Sequence, residues 1–189
     1  MLEEILKRQS ALTKVPFELA KAQAKIESGN NPWAKSPVGA LGLFQVMPGT
    51  AAQFHVAEKD LLNPELCTQV GLTYLRSLFD SPKLQAIGVT TTRWEQWQCA
   101  LACYNGGPGY THIAIGKARV ADDLPYTHNE WMKAGGNPGS RSWALWAEIK
   151  NYLPEVTLRG KKPDHNQITD YVYKISCLVE QIGADLATF

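Results

Sequence analysis

The sequence predicts a mainly α fold, and three features carry that prediction. Apolar residues recur at helical spacing in one segment after another, and clusters of proline, glycine and asparagine fall between those segments. No alternation of apolar and polar residues is long enough to build a sheet, so at most a small β-hairpin is expected, in residues 81–92 or 120–140. With 189 residues, the chain is expected to form a single domain with a substantial core.

Leu2 to Thr13 reads as a helix, with Leu2, Ile5, Leu6 and Leu12 apolar and acids in its first turn. Pro16 suits the start of a second helix that runs to about Glu27. Along it Phe17, Ala20, Ala24 and Glu27 share one face, so the carboxylate extends a small apolar stripe. Partial desolvation and a raised pKa would follow. The plainer alternative is a glutamate in solvent, or one capping a neighbouring helix. Asn30-Asn31-Pro32, Ser36-Pro37, Gly39, Gly42 and Pro48-Gly49 then forbid a continuing helix. A carboxylate therefore stands before a loop able to wrap a ligand.

A short helix is expected from Pro48 to Ala52, and Asn63-Pro64-Glu65 marks the start of another that runs to about Phe79. Gly71 in its buried stripe would allow close approach. Arg93 to Tyr104 is apolar almost all round and reads as a central, buried helix, stopped by Asn105-Gly106-Gly107-Pro108-Gly109. Further helices are expected at Tyr110–Ala118, at Ser142–Tyr152 and from near Gln167. The last carries Ile168, Tyr171, Val172, Ile175, Val179 and Ile182 on one face.

Composition narrows the function classes. The net charge is +1 with no basic run, so nucleic acid is not indicated. No apolar run approaches the roughly 20 residues of a membrane span. The start, MLEEILKRQS, has acids where an export signal needs positive charge, so the chain is not expected to follow the general export path. Cys67, Cys99 and Cys103 read as small buried hydrophobes, and Cys177 as an exposed thiol. His55, His112, His128 and His165 form no metal-spaced set, so neither metal nor cofactor is expected.

Three stretches together resemble the soluble lytic transglycosylases, lysozyme-like enzymes that cleave bacterial cell-wall glycan. They are ESGNNPWAKSPVGALGLFQVMPGTA, LLNPELCTQVGLTYLRSLF and CALACYNGGPG, in the family's order, across about residues 12–118. The resemblance implies a lysozyme-like fold of the goose-type lysozyme and lytic transglycosylase kind. A fourth family element, Glu-Thr-Arg-x-Tyr-Val, has its counterpart in Gln167 to Val172, where the acid is Gln167 and the arginine is Thr169. Residues 119–166 then read as an insertion atypical of the family, expected to roof a cleft or dock on a larger assembly.

Breaking a glycosidic bond requires an acid on the leaving oxygen, and most glycosidases add a second carboxylate. Here nothing acidic follows Glu27 until Glu58. The resemblance implies that the substrate supplies its own nucleophile. The 6-hydroxyl of the muramic sugar attacks its own anomeric carbon, with Glu27 as general acid and then base, leaving a 1,6-anhydro ring. It also implies that Ser36 orients a sugar substituent, with a turn hydroxyl before Pro37 as the alternative. Gln45 and Met47 would line the cleft, although Met47 also suits plain core. Tyr104 would approach the carboxylate, Asn105 would shape the cleft and Tyr171 would stack on a sugar or pack in its own stripe. Among six tryptophans, Trp33 is the candidate ligand contact because it lies in the loop, whereas the Trp94/Trp97 and Trp143/Trp146 spacings suit core.

The expected partner is thus a peptidoglycan glycan strand cut between MurNAc and GlcNAc. Two rivals are a hydrolytic muramidase, with Glu58, Asp60, Asp122 or Asp123 helping to place water, and a non-catalytic glycan-binding or structural virion protein on a lysozyme-like fold. The acidic start favours carriage in a phage virion or tail, ahead of a processed chain or secreted cargo.

Overall fold

A computed structural model describes residues 1–85, 93–121 and 146–183. Among these, the α-helices are α1 (Leu2–Thr13), α2 (Phe17–Ser28), α3 (Pro48–Gln53), α4 (Pro64–Phe79) and α5 (Pro82–Gln85), then α6 (Arg93–Gly106), α7 (Pro108–Ala121), α8 (Trp146–Tyr152) and α9 (His165–Gln181). Short 3-10 turns occupy Glu58–Leu62 and Leu153–Glu155. Among the described residues extended pairing is limited to isolated bridges, Lys35 with Leu41, Leu41 with Val46 and Leu158 with Lys161. Residues 86–92 and 122–140 of the segments allowed a hairpin, and the expected helix start at Ser142, lie outside the described residues.

Contacts group the described residues into two compact units: Met1–Ser77 with the end of α9 from Lys174, and those within Leu78–Tyr173. In the first unit α1 packs on α2, burying Leu6, Val15, Leu19 and Ala20. Lys14, in the left-handed region at φ 58°, ends α1 and turns the chain toward Pro16. Asn63 starts α4 as expected, its Oδ1 accepting the N–H groups of Glu65 (2.9 Å) and Leu66 (3.2 Å). The Glu65 side chain then receives hydrogen bonds from Arg8 and Gln9 of α1. The Arg8 guanidinium first, and Gln9 second, hold that carboxyl below its usual range.

In the second unit α6 is central, with Trp94, Trp97 and the run Cys99–Cys103 buried. The rings of Phe79 and Trp97 stack with centroids 3.9 Å apart, and the Gln96 amide donates to the Phe79 carbonyl (2.7 Å). The α7 helix packs on both α6 and α8.

Several helix ends fall beyond their expected positions, for identifiable reasons. The α6 helix includes Asn105 and Gly106 because Gly107 (φ 87°) supplies the left-handed terminus, its N–H bonding to the Cys103 carbonyl (2.9 Å). The α7 helix begins two residues early because Pro108 occupies its first position. The α9 helix begins at His165, where Asp164 Oδ1 accepts the Gln167 N–H (3.0 Å).

Cys67, Cys99 and Cys103 are buried, and burial pushes the Cys103 thiol up to about 12 and Cys99 well above its ordinary value. Cys177 is half-buried rather than exposed, since it lies at the edge of the apolar stripe of α9. Alkylation of the native protein near neutral pH is expected to stop at one label, on Cys177, and to reach four after denaturation, as counted by mass spectrometry. Glu65→Gln is expected to cost no more than about 1 kcal/mol at neutral pH, because the pair is partly exposed. A carboxylate with a depressed pKa stabilises above its unfolded value and loses that contribution as the pH falls. The difference between Glu65→Gln and the parent in denaturant titrations should therefore vanish in acid.

Candidate active site

Glu27 is the next-to-last residue of α2 and is half-buried, above the fully buried Ala20 and Ala24 of the same face. The helix stops immediately after it. Gly29 (φ 64°) and Asn30 (φ 68°) both take the left-handed conformation, and their N–H groups bond to the Lys25 carbonyl (3.0 Å) and the Ala24 carbonyl (3.3 Å). The Ser28 hydroxyl lies 3.1 Å from the Ala24 carbonyl and 2.8 Å from the carbonyl of Leu43, fifteen residues on. That second bond fastens the end of the helix to the far side of the loop.

The loop folds back on itself. Leu41 and Val46 exchange backbone hydrogen bonds of 3.0 and 2.9 Å, and the Gly42 N–H reaches the Ala34 carbonyl (2.8 Å). Leu43 and Phe44 at its tip are fully buried. Gly42 (φ 71°) permits this approach, since a Cβ there would meet the Leu61 carbonyl and lie 2.7 Å from Cys67 Sγ. Gly71 performs the same service from α4, where a Cβ would lie 2.6 Å from Phe44 Cβ. Cys67 Sγ accepts the Phe44 N–H (3.5 Å) and faces the Leu41 carbonyl (3.6 Å). Burial pushes its thiol up, with a smaller push from the charge of Glu27.

The expected site residues of this unit fall on the loop. Ser36 Oγ accepts the Ala40 N–H (2.9 Å), so its hydroxyl does the work of a turn and keeps its proton for donation. The Gln45 amide donates to the Gly42 carbonyl (2.9 Å) and the Ala34 carbonyl (3.3 Å), leaving Oε1 outside those bonds. Trp33 is 70% exposed and Met47 43%, so Met47 is not core and both are open to a ligand. Tyr104 and Asn105 are half-buried at the end of α6, in the second unit. Tyr171 is only 6% exposed. Its place in the stripe of Ile168, Val172 and Ile175 explains the burial.

Ser28 and Cys67 were missed as site residues by sequence reasoning. A hydroxyl directly after the carboxylate was a signal available for Ser28. For Cys67 none was, because its role depends on a contact 26 residues away.

A family model described as the transglycosylase SLT domain matches residues 4–126. The chain is 32% identical over 123 residues to the soluble lytic murein transglycosylase of Escherichia coli (strain K12), covering 61% of this chain and 17% of that one. It is 31% identical over 150 residues to the membrane-bound lytic murein transglycosylase F of Yersinia enterocolitica, covering 79% and 26%. The chain thus spans about a quarter or less of these relatives. Its fold matches that of the 70 kDa soluble lytic transglycosylase of Escherichia coli with a TM-score of 0.59 at 22% identity, over 97% of this chain and 25% of that one. A lytic transglycosylase of Pseudomonas aeruginosa gives 0.57 at 19% identity, over 95% and 24%. At such identities the likeness establishes the fold, which is the mainly helical, lysozyme-like one expected.

Ser28→Ala is expected to cost about 1 kcal/mol in thermal unfolding and to speed hydrogen exchange at the Leu41 and Val46 amides. Gly42→Ala is expected to cost about 2 kcal/mol or more in the same measurement, from left-handed strain plus overpacking.

Proposed function

We propose a function from the fact that this chain belongs to the transglycosylase SLT domain family: it cleaves the β-1,4 bond between MurNAc and GlcNAc in peptidoglycan and releases a 1,6-anhydro-MurNAc end. The observation that carries the reading is the placement of Glu27, half-buried at the end of α2 where Ser28 ties the helix to the loop, in a stretch with no second acid before Glu58.

In the proposed reaction the Glu27 carboxyl gives its proton to the leaving GlcNAc oxygen as the C1–O4 bond breaks. The resulting carboxylate then takes the proton of the MurNAc 6-hydroxyl as O6 bonds to C1. The glutamate returns to its starting form, and no water is consumed. Ser36 and Gln45 are the proposed polar contacts to the glycan, through the hydroxyl proton and Oε1 respectively. Trp33 and Met47 offer apolar surface to sugar rings. Tyr104 and Asn105 are assigned to glycan binding on their motif alone, and residues 119–166 to docking or roofing the cleft.

Carriage in a phage virion or tail belongs to the same proposal. Detection of the protein in purified particles tests it. Among the described residues no helix is long and apolar enough to cross a membrane.

Peptidoglycan digested with the purified protein is expected to yield anhydro muropeptides, lighter by one water than hydrolytic products in mass spectrometry. Glu27→Gln should lower the rate by roughly 10²–10⁴ while the fold melts normally. Hydrolytic products would replace the proposed mechanism with that of a muramidase, and unchanged clearing by Glu27→Gln would remove the glutamate from it.

A further inference from the structure

Between the paired Leu41 and Val46, residues 42–45 form a turn closed by the Gln45 N–H on the Gly42 carbonyl (3.2 Å). The peptide unit at the centre of such a turn, here Leu43–Phe44, makes no bond within the turn, and the commonest turn types differ in which way it faces. In an exposed turn water serves both of its ends. Here Leu43 and Phe44 are fully buried, so the carbonyl and the N–H of that one unit each need a partner from another segment.

Both partners are present, and they come from different helices. At the carbonyl end is the hydroxyl of Ser28, the last residue of α2, closer to the Leu43 oxygen (2.8 Å) than to that of Ala24 (3.1 Å). At the N–H end, Cys67 Sγ of α4 accepts from Phe44 (3.5 Å) and faces the Leu41 carbonyl (3.6 Å). Burial holds that thiol above its ordinary range, so it keeps its proton at neutral pH and can donate as well as accept. A chain of hydrogen bonds therefore runs from Ser28 through the peptide unit to Cys67 and on to Leu41. In such a chain each bond polarises the next. Glu27 belongs to the helix at one end of this chain, whereas Ser36 and Gln45, the proposed polar contacts to the glycan, belong to the loop.

We propose that Ser28 and Cys67 are positioning residues for the glycan reaction, gripping one peptide unit from its two ends and setting the loop in register with Glu27. The assignment rests on the function proposed above. Both residues act through the loop and not on the sugar. When either grip is lost the peptide is free to turn. The glycan then still binds to the loop, but its leaving oxygen lies off the line to the carboxyl. The two residues work as one unit, since each holds the same peptide.

The test measures turnover of peptidoglycan by the full chain and by variants whose native fold is checked by circular dichroism. Ser28→Ala and Cys67→Ala should each lower kcat about tenfold or more while KM changes no more than about twofold. Ser28→Thr, which keeps the hydroxyl, should restore the parent rate. The double alanine variant should be no more than about threefold slower than the worse single one. Hydrogen exchange at the Phe44 amide should speed up in Ser28→Ala, although Ser28 bonds only the other end of the peptide unit. Should Cys67→Ala not fold, the Ser28 pair and the Phe44 exchange decide the matter. Losses that multiply in the double variant, a raised KM with kcat kept, failure of threonine to rescue, or Phe44 exchange indifferent to Ser28→Ala overturns the positioning role while leaving glycan cleavage intact. A parent chain that cuts no glycan overturns the proposed activity and this role with it, and the two failures are told apart by the parent rate.

Discussion

The carboxylate is useful only if the helix that carries it ends where it does. Glu27 is followed by one more helical residue and then by two left-handed ones, Gly29 and Asn30, so the chain leaves the helix axis at once. Glycine takes that conformation at no steric cost and asparagine at little. The Ser28 hydroxyl, 2.8 Å from the Leu43 carbonyl, then joins the helix terminus to a point that the chain reaches only after fifteen further residues. A helix end frays readily when its last carbonyls lack partners. Here the carbonyls of Ala24, Lys25 and Ser28 are engaged by the following backbone, and that of Ala24 also by the Ser28 hydroxyl.

That bond would hold little if the loop were itself loose. A loop without a sheet needs another source of rigidity, and this one obtains it by burying its tip. Leu43 and Phe44 are fully enclosed, each worth roughly 1.5–3 kcal/mol of apolar transfer. Two glycines from different segments make the enclosure possible, Gly42 within the loop and Gly71 on α4. The backbone groups carried inward are paired across the Leu41–Val46 bridge and at Cys67. The segment is thus part of the core, despite its irregular backbone.

The helices were legible in the sequence because capping and periodicity are local. Asn63-Pro64-Glu65 and the apolar run after Arg93 place α4 and α6 without knowledge of their neighbours. The misjudged ends arise where two helices abut, Gly107 ending one and Pro108 starting the next. Non-glycine residues in the left-handed region, Gln45 (φ 46°) and His55 (φ 58°), carry no composition signal. The site was legible as positions but not as bonding. Ser36, Met47 and Tyr171 each had a plain structural alternative, and packing bears on each. For Tyr171 the amphipathic stripe already favoured burial. The grouping into two units was not legible, because it depends on contacts between residues distant in sequence.

The bonding also bears on how the loop would act on a sugar. Ser36 has one oxygen contact taken by the Ala40 N–H, and Gln45 has its amide hydrogens taken by two carbonyls. What remains is a hydroxyl donor and an amide acceptor, each at a position set by the backbone. Groups already held by their own chain lose little entropy when a ligand arrives, and they cannot relax to follow a misplaced one. For a reaction in which the substrate brings its own nucleophile, orientation of the sugar is the main task left to the protein. In the proposed reaction, a loop that orders its polar groups before binding meets that need with a single carboxylate, provided that the helix end and the loop tip stay joined.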